Sequence, residues 1–352
     1  MNSKQGAGGR GQGARGQGRG GKRLKALVAL LSIALAFPGS ADAYIQLAFD
    51  VGGQVKSIHW SSSPRWFATD RSVPGVSASQ FQAEVQRAFE TWGAVPTASI
   101  GSQFVGFVSA RPSDVDNISV FGFEDQTPDM DRVLAATGFT IDTLTGEIVE
   151  SDVFFNTRFT WSAAQSGEPG RFDLRSVATH EIGHFFGLGH SAIGETELRA
   201  DGSHRVVASG SVMFPVSMGT NNIADRTLQP DDIAGMSSIY PDGGFETRTG
   251  SITGRVRLGN AGVLGAHVVA FSIRTGTLVG GFSTTSDGTF TISGLAPGPY
   301  VVRVEPLDDY DVDSFLLAPG VNVDFRATFH PRLVVAPSGG ANPSFDVTVQ
   351  PK

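Results

Sequence analysis

The chain has 352 residues, with 27 Lys+Arg against 34 Asp+Glu, a hydrophobic share of 40% and no cysteine. That hydrophobic share excludes a disordered polyelectrolyte over the whole length, and the mild acidity argues against nucleic acid as a main partner. Without cysteine there are no disulfides, thiolate metal sites or cysteine nucleophiles, so a metal would have to be held by histidines and carboxylates.

Residues 1–25 are rich in Gly, Gln and Arg and carry Lys4, Arg10, Arg15, Arg19, Lys22, Arg23 and Lys25 without an acid. An apolar run from Ala26 to Phe37 follows, then Pro38-Gly39 and the small-residue pattern Ala41-Asp42-Ala43. Residues 1–43 therefore read as a secretory signal with a basic, Gly-rich extension, cleaved after Ala43. An RNA-binding reading of the Arg/Gly stretch is weaker, because the adjoining export signal accounts for its charge. The apolar run falls short of the roughly 20 residues of a spanning helix, and no cysteine follows to take a lipid. The expectation is a secreted or extracellular protein without a stable membrane span. An exported chain lacking cysteine fits a bacterium better than an animal.

Two textures follow. Residues 44–245 mix helical and strand patterns, whereas residues 246–352 show strand patterns alone, and Pro241-Asp242-Gly243-Gly244 to Thr249-Gly250 reads as a linker. A helix is predicted from Ser77 to Trp92, with Phe81, Val85, Ala88, Phe89 and Trp92 on one stripe and Ser77 with Gln80 as a capping box. Strands are predicted at Val105–Val108, Ile118–Phe121 and, after a turn at Thr145-Gly146, Val153–Phe159. A second helix begins near the cap Asp173. A third runs from Pro230 to Tyr240, with Asp231 and Asp232 facing its dipole. In the second part, strands are predicted at Ser251–Arg257, His267–Ser272, Thr277–Ser283, Thr289–Ser293 and Tyr300–Glu305. Asp287-Gly288 reads as a hairpin, and Tyr300, Val302 and Val304 alternate inward. These strands describe a small antiparallel sandwich that should be separable from the first part.

The chemistry lies in His180-Glu181-Ile182-Gly183-His184-Phe185-Phe186-Gly187-Leu188-Gly189-His190. Histidines four apart on a helix lie one above the other and can reach one ion. Glu181 projects beside them, placed to hold a metal-bound water. Gly187 can end the helix in the left-handed conformation, so that the chain turns back and returns His190 as a third ligand. Three nitrogen ligands and one open position are the arrangement of a catalytic zinc, which acidifies its water and polarises a carbonyl. A buried helix with incidental, unpaired histidines would carry a desolvation penalty.

The segment HEIGHFFGLGHS (His180–Ser191) resembles the zinc signature of the metzincin peptidases, and Ser191 after the third histidine resembles the matrixin branch. Ser211-Val212-Met213-Phe214-Pro215 resembles the Met-turn of that family. The resemblance implies that Met213 lies under the zinc site and that Pro215 borders the pocket for the first primed substrate residue. Phe214 cannot ligate metal, unlike the tyrosine found after the methionine in other branches. Asp231 to Tyr240 resembles the closing matrixin helix and Phe81 to Trp92 the first catalytic-domain helix. Val133–Ala136 and Gly146–Ile148 resemble segments before the edge strand of the cleft. The resemblance spans about residues 55–241 and implies an α+β fold: a zincin/metzincin catalytic domain, with a twisted mixed sheet and three helices, followed by a small all-β sandwich. The sandwich itself resembles carboxypeptidase regulatory-like modules.

Some family features are missing. The stretch from His190 to Met213 is longer than in compact members, residues 111–179 hold no histidine for a structural zinc, and a cysteine latch is impossible. His59, His267 and His330 read as packing or surface residues and His204 as a solvated loop histidine. Asp114, Asp116, Glu124, Asp125, Asp129 and Asp131 are candidate oxygen ligands for calcium, but no run matches an EF-hand loop and no calcium ligand is assigned. The expected function is that of a monomeric, secreted zinc endopeptidase acting on proteins or peptides. Zinc sits on His180, His184 and His190, and Glu181 is the general base toward a zinc-activated water. The alternative is a non-catalytic exported binding protein with a relict peptidase domain.

Overall fold

The computed structural model describes residues 26–28, 46–51, 54–125, 133–199, 204–307 and 320–352. Most of the segment read as an export signal, together with Asp129 and Asp131, lies outside the described residues.

A first short strand, β1 (Ala26–Val28), falls inside the apolar run read as the export signal; the first domain proper begins with β2 (Ala48–Val51) and β3 (Gln54–Ser57), followed by β4 (Arg65–Thr69). Helix α1 (Ala78–Gly93) starts at the expected capping box: Gln80 N–H donates to Ser77 Oγ, and Ser77 N–H to Gln80 Oε1. It buries Phe81, Val85, Ala88, Phe89 and Trp92, the predicted stripe. Strands β5 (Gln103–Val108), β6 (Ser119–Glu124), β7 (Ala135–Ile141) and β8 (Ile148–Asn156) follow. β8 starts five residues before the predicted Val153, because the turn at Gly146 (φ +85°) feeds straight into it. It stops at Asn156, whose carbonyl accepts Phe159 N–H in a turn.

Six strands make one sheet in the order β1-β7-β8-β6-β4-β5. β4, β5, β6 and β8 are parallel, whereas β7 runs antiparallel to β8 and β1 antiparallel to β7. Parallel strands are normally covered on their faces, which calls for continuous apolar runs; β6 and β8 are buried over nearly their whole lengths. An aromatic core of Trp66, Phe81, Phe89, Phe121, Phe123, Phe155 and Phe185 joins the sheet to α1 and to helix α2, reached through short strands β9 (Trp161–Ser162) and β10 (Phe172–Asp173). Helix α2 (Leu174–Phe185) begins at the predicted cap: Asp173 Oδ1 accepts Ser176 N–H at 2.8 Å. The long stretch after His190 is a hairpin of β11 (Gly194–Leu198) and β12 (His204–Ser209) rather than a loop, so His204 stands on a strand. Helix α3 (Pro230–Ile239) closes the domain.

The predicted linker is ordered. It holds the short helix α4 (Phe245–Arg248), with Arg248 bonded to Asp242 and Asp242 N–H to the Thr97 carbonyl. The second domain contains β13 (Gly250–Leu258), β14 (Ala261–Gly262), β15 (His267–Ser272), β16 (Leu278–Phe282), β17 (Thr289–Leu295), β18 (Gly298–Glu305), β19 (Thr328–Phe329), β20 (Val334–Ala336) and β21 (Phe345–Val349). One sheet carries β14-β13-β17 with β21 on β13, the other β16-β15-β18-β19 with β20 on β18. Tyr300, Val302 and Val304 are buried as predicted. Two expectations fail. Asp287-Gly288 does not close a hairpin: Gly288 turns the chain with φ +80°, but β16 and β17 belong to different sheets. The sandwich is also not purely antiparallel, since β21 pairs with β13 in parallel. One large cluster of buried apolar residues runs through both domains, and Phe214, Phe282 and Leu307 form a second, smaller one. No helix among the described residues is long and apolar enough to cross a membrane.

Candidate metal centre

The histidines come together because α2 ends where it does. After His184 the helix stops at Phe186, and Gly187 takes φ +95°. A Cβ at Gly187 would lie 2.4 Å from the Ile58 carbonyl oxygen, so both conformation and space require glycine. The chain then reverses: Leu188 N–H donates to the Gly183 carbonyl, and His190 returns toward the helix. Nε2 of His184 lies 3.1 Å from Nε2 of His180 and 3.2 Å from Nε2 of His190.

The other ring nitrogens fix the tautomers. Nδ1 of His180 meets the Val212 carbonyl at 2.7 Å, and Nδ1 of His184 meets the Leu188 carbonyl at 2.8 Å. A carbonyl only accepts, so each Nδ1 carries the proton and each Nε2 presents a lone pair. Two lone pairs 3.1 Å apart cannot bond one another; a cation between them satisfies both. Nitrogen ligands about 2.0–2.1 Å from a tetrahedral zinc are separated by roughly 3.4 Å, close to the spacing here. Burial, with the neighbouring His190 adding to it, pushes His180 down to about 3; it pushes His184 well below its ordinary value. The imidazoles of His180 and His184 are thus held neutral, the form that binds metal. Among the described residues this is the one cluster of three such groups placed to hold an ion.

Met213 lies directly under α2: a Cβ at Gly183 would stand 2.2 Å from its Sδ and 2.9 Å from Trp92 Cζ2. Val212 and Met213 are held by Asp232 at the start of α3, whose carboxylate accepts their two N–H groups at 2.9 and 3.2 Å and the Ser211 hydroxyl at 2.5 Å. Ser191 N–H donates to the Met213 carbonyl at 2.9 Å, tying the third-histidine segment to the Met213 turn. Pro215 is half-buried beyond it. A cavity of about 620 Å³ lies where the two domains meet, lined by residues such as Ala192, Phe214, His267 and Leu307; neither the three histidines nor Pro215 lines it.

Glu181 sits next to His180 and is 5% exposed. Its Oε2 accepts the hydroxyl of Thr137 on β7 at 2.7 Å. Burial pushes Glu181 up to about 7, while the Thr137 hydroxyl pulls the other way by favouring the carboxylate. Sequence reasoning missed Thr137, because only the sheet brings β7 to α2. The bonds made by Asp231 and Asp232 were missed too: a dipole argument explains acids at a helix start but not what they hold.

The remaining polar residues take ordinary places. His59 Nδ1 meets the Ser57 carbonyl, and His267 Nδ1 meets Glu305 Oε1. Of the acids considered for calcium, Glu124 pairs with Arg111, Asp125 pairs with Arg71, and Asp116 accepts Ile118 N–H.

Comparison with known proteins adds the family. The sequence model of the matrixin family matches residues 59–241, and that of the carboxypeptidase regulatory-like domain matches residues 251–328. Metalloendoproteinase 4-MMP of Arabidopsis thaliana is 23% identical over 201 residues, 53% of this chain and 50% of its own length. Rattus norvegicus matrilysin is 34% identical over 89 residues, 25% of this chain and 26% of its own. Homo sapiens neutrophil collagenase is 24% identical over 188 residues, 51% of this chain and 34% of its own. This chain thus spans half or less of the length of each. The matched span holds five of the six strands of the sheet, the three longer helices and the histidine cluster, and on that match the chain belongs to the matrixin family, with a carboxypeptidase regulatory-like domain following.

Proposed function

We propose that the chain is a secreted zinc endopeptidase that hydrolyses protein or peptide substrates as a monomer. The observation that carries this reading is the convergence of three imidazoles on one point with a buried carboxylate beside them. Matrixin membership supports a zinc metalloendopeptidase in general. Export is supported by residues 1–43 as a sequence pattern.

His180, His184 and His190 would hold the ion and Met213 would floor it. Zinc, when bound, supplies an acidified water and a Lewis acid toward the scissile carbonyl. Glu181 takes the proton of the attacking water and delivers it to the leaving amine. Thr137 holds the carboxylate in the orientation this transfer needs. Pro215 borders the pocket for the first primed side chain. An intact, oriented Glu181 weighs against the alternative of a relict domain in a binding protein.

The test is cleavage of an unstructured peptide by the full chain. Chelation should abolish it and added zinc restore it; cleavage that persists in excess chelator would overturn the reading.

A further inference from the structure

A line of buried hydrogen bonds runs from the metal centre into the second domain. Ser191 directly follows His190, and its Oγ donates to Asp231 Oδ2 at 2.5 Å. Asp231 Oδ1 accepts the backbone N–H of Gly280, on β16 of the second domain, at 2.8 Å. Ser191 and Asp231 are both buried. A carboxylate taken out of water is costly unless its oxygens are satisfied, and one of the two donors satisfying Asp231 comes from the other domain.

The surroundings leave little freedom at this contact. A Cβ at Gly280 would lie 3.0 Å from Ile193 Cγ1, 3.1 Å from Ile193 Cδ1 and 2.8 Å from His267 Nε2. Ile193 is part of the segment being held, since its N–H donates to Ser191 Oγ at 3.2 Å. Alongside, Phe214, next to Met213, packs with Phe282 and Leu307 of the second domain. The second domain therefore touches both segments that frame the histidines, the one after His190 and the one after Met213.

We propose that the second domain is a working part of the metal centre: the Gly280 amide holds Asp231, Asp231 holds Ser191, and Ser191 sets the position of His190. The inference rests on the reading of His190 as a zinc ligand. Gly280 and Asp231 are then positioning residues. A module that only tethers the enzyme near its substrate would leave zinc affinity untouched, whereas this one contributes to it. The separability suggested by the strand pattern would not extend to function.

The experiment uses the full chain, with Gly280→Ala, Asp231→Asn and the double variant. Zinc affinity is read by competition with a chromophoric chelator, and site geometry by the visible spectrum of the cobalt-substituted protein. Loss of a group supporting a ligand typically costs about 10- to 100-fold in metal affinity. Each single variant should fall in that range with an altered cobalt spectrum, and the double should be no worse than the weaker single, because both act through one carboxylate. Should Gly280→Ala fail to fold, Phe282→Leu carries the same test from the second domain. Wild-type affinity and spectrum in the second-domain variant, or losses that multiply in the double, would overturn the inference while leaving the peptidase reading intact. A wild-type chain that binds no zinc would overturn both.

Discussion

Thr137→Val keeps the side-chain shape and removes one hydroxyl, which meets Glu181 at Oε2 and, at 3.1 Å, at its backbone carbonyl. Thr137 is fully buried, and its Oγ1 lies 2.7 Å from Oε2 of a carboxylate that is 5% exposed. A hydrogen bond to a charged group is worth about 1.5–3 kcal/mol, and 1.36 kcal/mol corresponds to about one pH unit. The donor favours the carboxylate over the acid, so it holds Glu181 down against the burial that raises it. Removing it should move the acidic limb of the kcat/KM profile upward by about one pH unit, with about two as the upper bound. On that limb, activity should fall about tenfold. Well above it the loss should be smaller and confined to kcat, reporting the orientation the hydroxyl provided. The assay is peptide turnover from pH 5 to 9 on protein whose zinc content equals that of the wild type. An unchanged acidic limb together with wild-type kcat would refute the assignment of Thr137.

Three further outcomes are expected. His190→Ala should weaken zinc binding by at least tenfold in a chelator competition, whereas His330→Ala, in the second domain, should not; equal losses would mean that the ligand set is wrong. Gly183→Ala places a methyl group 2.2 Å from Met213 Sδ, and such overpacking should cost about 1–3 kcal/mol in urea denaturation; a neutral result would mean that Met213 is not packed under α2. Burial, with the nearby charges of Glu150, Asp116 and Asp114 adding to it, raises Asp152 from 3.8 to about 9, although the Val120 N–H opposes the shift. In this window the folded chain keeps a proton that the unfolded chain has released, so stability falls as pH rises. Asp152→Asn should remove up to about 1.4 kcal/mol of that slope per pH unit between pH 5 and 8; denaturation curves with the wild-type slope would contradict this.

The parts legible in sequence were those set by neighbours in the chain. The α1 capping box, the Asp173 cap, the left-handed Gly187 and the 180/184/190 spacing each depend on residues within a few positions, and all recur in the structure. Tertiary pairing was not legible. Asp287-Gly288 has the local chemistry of a hairpin, yet the strands beside it pair with β15 and β13 in different sheets. A turn preference fixes the reversal of the chain but not the partner of the next strand. The stretch after His190 has little apolar alternation, and so gave no sign of the β11–β12 hairpin. Thr137, Asp231 and Gly280 matter through contacts that span 40 to 49 residues of sequence, beyond the reach of periodicity or motif.

In the proposed mechanism Glu181 performs proton transfer beside a zinc that it does not ligate. Bound zinc and peptide turnover, measured together in Glu181→Ala and in the wild type, separate that role from metal ligation. About one zinc per chain is expected in both proteins, with turnover in the variant reduced by at least about 100-fold. A zinc-loaded variant that cleaves peptide at close to the wild-type rate would contradict that mechanism.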